Sequence, residues 1–595
     1  MADSPAKSAE GVVKLSVYSN GTAIPGTVGI VSVSVRKSIN RIPSARIVVL
    51  DGDMPNKAFP VADADHFKPG TPIKIAAGYA DAETAIFEGI VVSLGIDIED
   101  NESRLVVDCR DKAVAMTIGR KNANYVDVKD SDVISKLIGN YGSLTADVGS
   151  TDTQFKELVQ YYCTDWDFML SRAEINGLLV IVDDAKVSVK APATSGSASL
   201  QVTYGDDLIE FHAHADARSQ LTKVKAVSWD LKNQATVEQE AAPQTLNTQG
   251  NIDSATLATV VGPDIFRLQT PVPLESTALQ SWVKAQQIKA GLARIRGNMR
   301  FQGSAQAKAG GLITLAGVGA RFNGDVFVSA VHHRIAEGNW ITEVDFGMSE
   351  DWFAESRDLT APPASGLLPG IEGLHVGVVK KLDADPDGQY KVQVSIPLLQ
   401  AETDGVWARL AKPYASDSFG YFFVPEIGDE VVLGYFNNDP SSPVILGSLY
   451  SSKRKPAYEF TADNYKKAIV TKSKLTLEFD DEKKVITVTT PAKNKIVISD
   501  DDKSILVQDQ TGNKVKLSED GILLDSPKDV IIKAQGKISL SATGNVEVDS
   551  KADATVGATN ITHTAKAGFT AKGNATAELS ASGQTTVKGA MVMIN

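Results

Sequence analysis

Small apolar and polar side chains alternate up to the end of this chain. From Ile561 onward the odd positions are mostly Ala, Gly, Ile, Leu, Val and Met, and the even positions are mostly Thr, Lys, Ser, Asn and Gln. A period of two residues is typical of a β-strand with one buried and one solvated face. An earlier row, from Val530 to Ala558, has its apolar side chains on even numbers. The parity therefore changes once, near Thr559 and Asn560, which predicts a bulge or a corner.

The buried row has side chains too small to hold this segment folded in one chain. A row of Ala and Gly buries little apolar area, whereas ordering the backbone costs roughly 1–2 kcal/mol per residue. Three copies around one axis would solve this problem, because small side chains fit beside a narrow axis and each strand edge is paired by a neighbouring chain. The pattern predicts a trimeric, intertwined triple-stranded β-helix, or β-prism, over residues 456–595. The alternative is a disordered tail rich in Ala, Thr and Gly.

The preceding part of the chain is predicted to be mainly β. Residues 1–10 are polar and are expected to be disordered. Residues 11–360 contain short apolar runs between Gly, Pro and Asp turns, which favour a β-barrel or sandwich. Within that region, helix-like spacing predicts helices at 133–138, 155–175 and 276–297. Residues 231–263, rich in Gln and Asn, are expected to form a long surface excursion.

A linker and a small barrel come next. Residues 361–370 are rich in Pro and Gly and predict a linker. Residues 371–455 contain about five or six short strands, which suggest a barrel of the OB type. The last domain begins with hairpins that have charged turns, such as Phe479–Val485.

The composition is that of an acidic protein with several domains. A chain of 595 residues is too long for one hydrophobic core. Its 60 Lys and Arg residues against 73 Asp and Glu residues give a net charge of −13, and no basic stripe with aromatic residues is present, so nucleic acid is not an expected partner. Cys109 and Cys163 lack metal-ligand spacing. No signal peptide and no long apolar span are visible, which predicts synthesis in the cytoplasm.

Three groups of residues before the last domain are candidate sites of chemistry. The run Asp383–Gly388 has the order of a calcium loop, but Val394 stands where a bidentate Glu is needed, so a hairpin turn is expected. His212, His214 and Asp216 could bind a metal or could simply lie on a strand surface. His332 and His333 are adjacent and must face opposite ways. No catalytic residues and no cofactor are expected.

His563 falls in the inward row of the predicted trimer, so three copies would meet near the axis. They could hold a metal or an anion, or they could form a polar ring satisfied by water. At the C-terminus both faces become apolar, so Met591, Val592, Met593, Ile594 and Asn595 are expected to form a docking surface for a separate tip protein.

Several stretches together resemble the VgrG-type spike proteins of contractile injection systems, also called Rhs-element Vgr proteins. Ser38–Asp53 is similar to their opening domain and Gln160–Gly177 to a helix of their hub region. Five further stretches resemble their OB domain: Asp385–Gly388, Trp407–Arg409, Phe423–Val432, Asn438–Pro440 and Pro443–Tyr450.

The resemblance implies a fused phage baseplate hub and spike. It implies two tube-like β-barrels in the hub, which contact the inner tube and baseplate proteins, an OB neck, and a tip protein of the PAAR type. Effector cargo and a target membrane are further partners in that family. Residues Trp407, Phe423, Pro425, Gly428 and Val431 are expected to form barrel core and an interchain neck. These expectations predict assembly into a particle that is released or delivered outside the cell.

Several functional settings fit the sequence. The first is a mechanical, non-enzymatic hub and membrane-puncturing spike, in a type VI secretion system, an extracellular phage-tail-like particle or a phage baseplate. The second is a tailspike-like enzyme that cleaves polysaccharide, which would need facing carboxylates and aromatic residues on the β-helix. The third is an adhesin or toxin carrier, which would need a further terminal domain.

Overall fold

The computed structural model describes residues 3–7, 9–80, 82–99, 102–230, 235–244, 246–270, 274–355, 371–397 and 405–594. The predicted linker 361–370 and Asn595 lie outside these residues. Contacts divide the chain into two units, Met1–Leu449 and Tyr450–Asn595.

The first unit begins with a region of 21 strands and four helices. The strands are β1 Val13–Ser19, β2 Thr22–Ala23, β3 Ile30–Ser38, β4 Ser44–Leu50, β5 Pro72–Tyr79, β6 Ala82–Glu99, β7 Glu102–Arg110, β8 Lys121–Lys129, β9 Thr145–Val148, β10 Gln154–Cys163, β11 Leu179–Asp183, β12 Lys186–Lys190, β13 Leu200–Thr203, β14 Leu208–Ala215, β15 Val224–Asp230, β16 Ala235–Ala241, β17 Phe266–Thr270, β18 Ile295–Gln302, β19 Leu312–Ala316, β20 Gly324–Ala336 and β21 Asn339–Phe346. The helices are α1 Asp130–Gly139, α2 Asp165–Ile175, α3 Ser254–Val261 and α4 Ser276–Leu292.

Thirteen of these strands form one sheet with two hydrophobic cores. The main path runs β14-β18-β21-β20-β3-β4-β7-β6-β5-β1-β2, and β19 joins β13 to β20. One core is built on β3, β4 and β7, with Val35, Ile47 and Val107 fully buried, and the other on β18 and β21, with Phe301 and Val344 fully buried. The pairing of β3 with β20 makes the strands of both cores one continuous sheet, and the two separate barrels expected in the hub stay a prediction.

Much of the opposite face of this sheet is polar, although Leu312 and Phe327 pack there in a third apolar cluster with Leu292 of α4. Arg46 pairs with Asp108 at 2.9 Å, and Arg300 pairs with Glu210 at 2.7 Å. Such cross-strand pairs of opposite charge are typical of a solvated sheet face.

Three expectations for this region are wrong or incomplete. Residues 3–7 are held in place, because Asp3 forms a β-bridge with Leu200 and the Ala6 amide donates to Asp207 at 3.1 Å. Within 155–175 only α2 is helical, since β10 pairs with β8 and Thr164 caps the helix that follows. The excursion 231–263 contains strand β16, paired with β15, and helix α3.

A buried ion pair holds the end of this region in place. Lys289 on α4 pairs with Glu174 on α2, and both side chains are less than a tenth exposed. The Lys289 ammonium also donates to the Asp351 carbonyl at 2.6 Å, and the second Glu174 oxygen accepts from the Phe353 amide at 2.7 Å. The pair therefore holds Asp351 and Phe353, just after β21, through their backbone atoms.

The first unit ends in a small closed barrel. Its strands are β22 His375–Lys381, β23 Val392–Ser395, β24 Val406–Leu410, β27 Glu430–Tyr435 and β28 Pro443–Leu449, in the order β22-β23-β24-β28-β27. A two-stranded hairpin, β25 Ala415–Ser416 and β26 Phe419–Gly420, lies between β24 and β27. The barrel agrees with the predicted OB fold.

The second unit begins with a seven-stranded antiparallel meander, called the C-terminal sheet below. Its strands are β29 Lys466–Val470, β30 Thr476–Asp480, β31 Val485–Thr489, β32 Lys495–Ser499, β33 Ser504–Gln508, β34 Lys514–Ser518 and β35 Gly521–Asp525. The charged sequences Asp480–Val485 and Ser499–Ser504 are the turns of its hairpins, as expected.

The remaining described residues, 526–594, are called the tail. In one chain the tail forms no strand, and its side chains are exposed. The chain nevertheless bends at regular intervals, with successive bends beginning at Pro527, Gln535, Thr543, Lys551, Thr559, Lys566, Asn574, Ser582 and Ala590. The spacing is eight residues throughout, except for seven between Thr559 and Lys566. An even spacing keeps the same side chains on the same face, so the single odd interval accounts for the change of parity in the sequence.

Loss of the Lys289 charge should destabilise the first unit strongly. Lys289→Met leaves the Glu174 carboxylate buried without its partner, which costs about 3–5 kcal/mol of unfolding free energy. The matched control is Lys156→Met, because Lys156 pairs with Asp127 at 3.0 Å but is 91% exposed. Urea unfolding followed by tryptophan fluorescence should show a large shift for the first variant and none for the control. Equal shifts would contradict the role assigned to the buried pair.

Candidate functional site: the apolar face of the C-terminal sheet

The strand register places the large aliphatic side chains of the C-terminal sheet on one face. Residues directly opposite each other in an antiparallel pair point to the same face, as do residues two apart in one strand. One row of seven cross-strand neighbours is Ile469, Leu477, Val488, Ile496, Val507, Val515 and Leu524. The adjacent row is Lys467, Phe479, Ile486, Ile498, Ile505, Leu517 and Ile522. We call these two rows the apolar face.

The apolar face is open to solvent in a single chain. Eleven of its side chains are between 38% and 78% exposed, and Leu477 and Val515 are half-buried. The opposite face is the more sheltered one, although it is mostly polar: Thr487, Lys495 and Gln508 are half-buried and Ser499 is buried. A folded domain normally buries its apolar face first, so this inversion indicates that another surface covers the apolar face.

Ion pairs reinforce the polar face. Lys466 contacts Asp480 at 2.8 Å and Glu478 at 2.7 Å, and Lys514 contacts Asp525 at 2.9 Å. The hydrogen bonds to Asp480 and then Glu478 raise the pKa of Lys466. This face therefore suits a solvated exterior, and the apolar face suits an interior.

The tail carries the residues expected to act at its axis and end. His563 is exposed, and its ring stacks on Phe569 with centroids 5.9 Å apart. Met591, Val592, Met593 and Ile594 are all exposed, so the predicted docking surface is unoccupied within one chain. The intertwined β-helix, the axial role of His563 and the docking role of the C-terminus stay predictions.

The other candidate residues have local partners. Asp385 accepts hydrogen bonds from the amides of Asp387, Gln389 and Lys391, which is the geometry of a turn. The Asp216 carboxylate pairs with Arg218 at 2.6 Å. In the described ranges, no group of three His, Cys, Asp or Glu side chains could hold a metal ion.

The adjacent histidines face opposite ways. His333 is buried and contacts the Thr342 hydroxyl at 3.0 Å, whereas His332 contacts Ser34 at 2.7 Å on the polar face. Burial lowers the pKa of His333 to about 3, so its ring is neutral at physiological pH.

The expected OB core is correct only in part. Val431 and Pro425 are buried, and Gly428 adopts a φ of 87° in the turn before β27. Trp407 is half-buried, and its strand turns the neighbouring Ala408 into the core instead. Phe423 is 54% exposed, so its assignment to the barrel core is wrong. An interchain contact for Phe423 stays a prediction.

The C-terminal sheet was the functional surface that the sequence analysis missed. Its signal was present as seven short alternating runs from Ile469 to Leu524, and all but the first have two aliphatic or aromatic residues in phase. Only the register shows that these pairs form one face.

None of the described helices is long and apolar enough to span a membrane. Cys109 is a free thiol buried in the core of the sheet region. Burial raises the pKa of the Cys109 thiol to about 12, so it is not a reactive thiolate.

Three families match successive parts of the chain. Residues 9–337 match the family described as the Alg8 N-terminal domain, which covers more than half of the chain. Residues 375–450 match the type VI secretion system and phage-baseplate injector OB domain, and residues 485–553 match the phage baseplate V C-terminal trimerisation domain. The last match begins at β31 and continues into the tail.

Individual relatives are more distant. The type VI secretion system spike protein VgrG5 of Pseudomonas aeruginosa is 28% identical over 20% of this chain, a stretch that spans only 16% of VgrG5. A 43 kDa tail protein of prophage MuSo2 from Shewanella oneidensis aligns with 57% of this chain and 99% of its own, at 10% identity and a TM-score of 0.44. The E. coli protein c3393, described as a component of the type VI secretion system, aligns with 73% of this chain and 99% of its own, at 14% identity and a TM-score of 0.37.

Both TM-scores are low, and the assignment rests on the family matches. Their order, an N-terminal domain, an injector OB domain and a trimerisation domain, is also the order of the sheet region, the barrel and the C-terminal unit. The chain therefore belongs to the Alg8 N-terminal domain family, and its later parts are similar to the injector OB domain and the baseplate trimerisation domain and to VgrG-type spike proteins.

Proposed function

We propose that three copies of this chain form the hub and spike of a contractile injection system. The observation that carries the proposal is the exposed apolar face of the C-terminal sheet, in a segment that matches a trimerisation domain. Three such faces turned toward one axis would bury the aliphatic rows of all chains and leave the ion-paired faces in water.

The tail supports the same arrangement. Its bends recur every eight residues, yet it has no partner strand within one chain. In a trimer, the stretches between bends would pair with stretches of the other two chains, which satisfies backbone groups that one chain leaves open. The small Ala and Gly side chains of the inward row fit this geometry, because little space is left near a threefold axis.

The proposed role is mechanical. In this arrangement the strands of the tail are paired only between chains, so the tail cannot unfold in part without separating the trimer. It can therefore transmit force to a membrane without covalent chemistry. In this proposal the sheet region joins the inner tube and baseplate, the barrel forms the neck, and the C-terminus receives a PAAR-type tip protein. The assembled particle carries the protein out of the cell.

The proposal covers three settings: a type VI secretion system, an extracellular particle and a phage. Imaging of the assembled complex distinguishes them, because a free sheath with its own baseplate differs from a complex fixed in a membrane. A tailspike-like enzyme is a poorer fit, since the carboxylates of the C-terminal sheet lie in turns or in ion pairs with lysines.

A charge on the apolar face should prevent trimer formation. Ile498→Asp would place a carboxylate in each of three facing rows near one axis, at a cost of several kcal/mol per chain. The matched control is Val497→Asp, which introduces the same residue one position away on the polar face of the same strand. Native mass spectrometry should show monomers for the first variant and trimers for the control. Trimers from both would mean that the apolar face is not the interface.

Deletion of residues 591–595 should separate tip docking from trimer formation. The sheet and the rest of the tail remain, so the native mass of the trimer should be retained. Co-purification of a co-expressed small PAAR-type protein should be lost, because three chains ending together would no longer present their Met, Val and Ile side chains. Retention of that protein by the shortened trimer would refute the docking role.

A further inference from the structure

The tail specifies the alignment of its chains only weakly. Its bends recur every eight residues, and one interval of seven, between Thr559 and Lys566, interrupts the repeat. A chain that slipped by eight residues past its neighbours would again place bend beside bend along most of the tail, with the same row of small side chains facing inward. Repetitive strands without large side chains are prone to such slips. Another part of the chain must therefore align the three copies.

The C-terminal sheet lies directly before the tail and is placed to do this. Its seven strands follow one another in chain order from β29 to β35, and the tail continues from β35. The chain thus advances toward the tail across the strands, so the axis of the proposed trimer crosses the strands as well. The hairpin turns then lie on the two sides of each sheet, where the neighbouring copies are.

The two sides carry opposite charge. We call the turns 471–475, 490–494 and 509–513 the lysine side, and the turns 481–484, 500–503 and 519–520 the acidic side. The lysine side has three lysines and one aspartate: Lys472, Lys474, Lys493 and Asp509. The acidic side has seven acidic residues and three lysines, all exposed: Asp481, Glu482, Asp500, Asp501, Asp502, Glu519, Asp520, Lys483, Lys484 and Lys503.

Nearby charges do not cancel this difference. On the acidic side, Lys467 pairs with Asp481 and Lys503 with Glu519, which leaves five carboxylates against two lysines in its turns. The strand ends add one ion pair to the acidic side, Lys466 with Asp480, and two lysines and one aspartate to the lysine side, Lys495, Lys514 and Asp525. One side of the sheet is therefore positive and the other negative.

We infer that the lysine side of each C-terminal sheet docks on the acidic side of the next copy, and that this contact sets the register of the three tails. The inference rests on the proposed trimer. In a cyclic trimer each copy turns one side to one neighbour and the other side to the other neighbour, so opposite charges meet at all three contacts. A neighbour turned upside down with its apolar face still inward would bring two like sides together, which charge repulsion opposes.

The strand pairing gives the order of events. Every pair in the C-terminal sheet joins strands that are consecutive in the chain, so the sheet can form within one chain before association. The described tail has no strand partners of its own and can pair only with other chains. The sheets therefore associate first, by charge and by their apolar faces, and the tails wind together in the register that the sheets have set.

Reversal of the lysine side in the full chain tests the inference. The reversal variant carries Lys472→Glu, Lys474→Glu and Lys493→Glu, and the matched control carries Lys533→Glu, Lys537→Glu and Lys551→Glu, three exposed lysines of the tail. A photoreactive residue replaces Thr576 in both variants and in the otherwise unchanged chain. Mass spectrometry after illumination identifies the residues of the neighbouring chain to which it attaches.

The unchanged chain and the control should give adducts within a few residues of position 576. The reversal variant should give further adducts displaced by about eight residues, because its tails are no longer aligned by the sheets.

The native mass of each protein is measured first. A trimeric reversal variant that gives only the adducts of the unchanged chain overturns the inference and leaves the proposed function intact. Displaced adducts to the same extent in the control also overturn it, because register would then respond to charge anywhere along the C-terminal unit. A monomeric reversal variant beside a trimeric control supports it, since the intact tail would not have joined the chains. A monomeric mass of the unchanged chain contradicts the proposed trimer itself.

Discussion

The C-terminal sheet has an apolar face that a single chain does not bury. Its seven strands pair with one another within the chain, but the thirteen aliphatic and aromatic side chains of the apolar face remain at least partly in water. Burial of apolar area is the main driving force for association, and in the proposed trimer it acts between chains. The role proposed for the whole protein depends on this burial.

The tail also cannot bury its apolar side chains within one chain, but its sequence differs from that of the C-terminal sheet. The C-terminal sheet uses large side chains and pairs its strands within the chain, whereas the tail uses Ala and Gly and has no strand partners of its own. Bends at intervals of eight residues allow the chain to repeat one path while the same side chains face inward. The interval of seven between Thr559 and Lys566 reverses the parity without interrupting the sequence of bends. In the proposed trimer the tail would gain rigidity from interchain pairing and not from a core.

The alternation of side chains was sufficient to predict the β character and the OB barrel, and it is also the pattern that suggested a trimeric C-terminus. It was insufficient where a local pattern competes with pairing at long range. The segment 155–163 has spacing compatible with a helix, but its Val and Tyr residues favour a strand, and the partner β8 decides the outcome. Asp3 likewise forms its bridge with Leu200, a contact that no local pattern contains. Phe423 is exposed, and it lies in the connection between β26 and β27 and not in a strand of the barrel.

Hydrogen–deuterium exchange of the intact protein tests the central claim most directly. The tail amides, residues 526–594, have no strand partners within one chain, so any protection must come from other chains. The account predicts exchange slowed by orders of magnitude throughout the tail and the C-terminal sheet, lost together when the trimer dissociates. Rapid exchange of the tail in a protein of trimeric mass would contradict it.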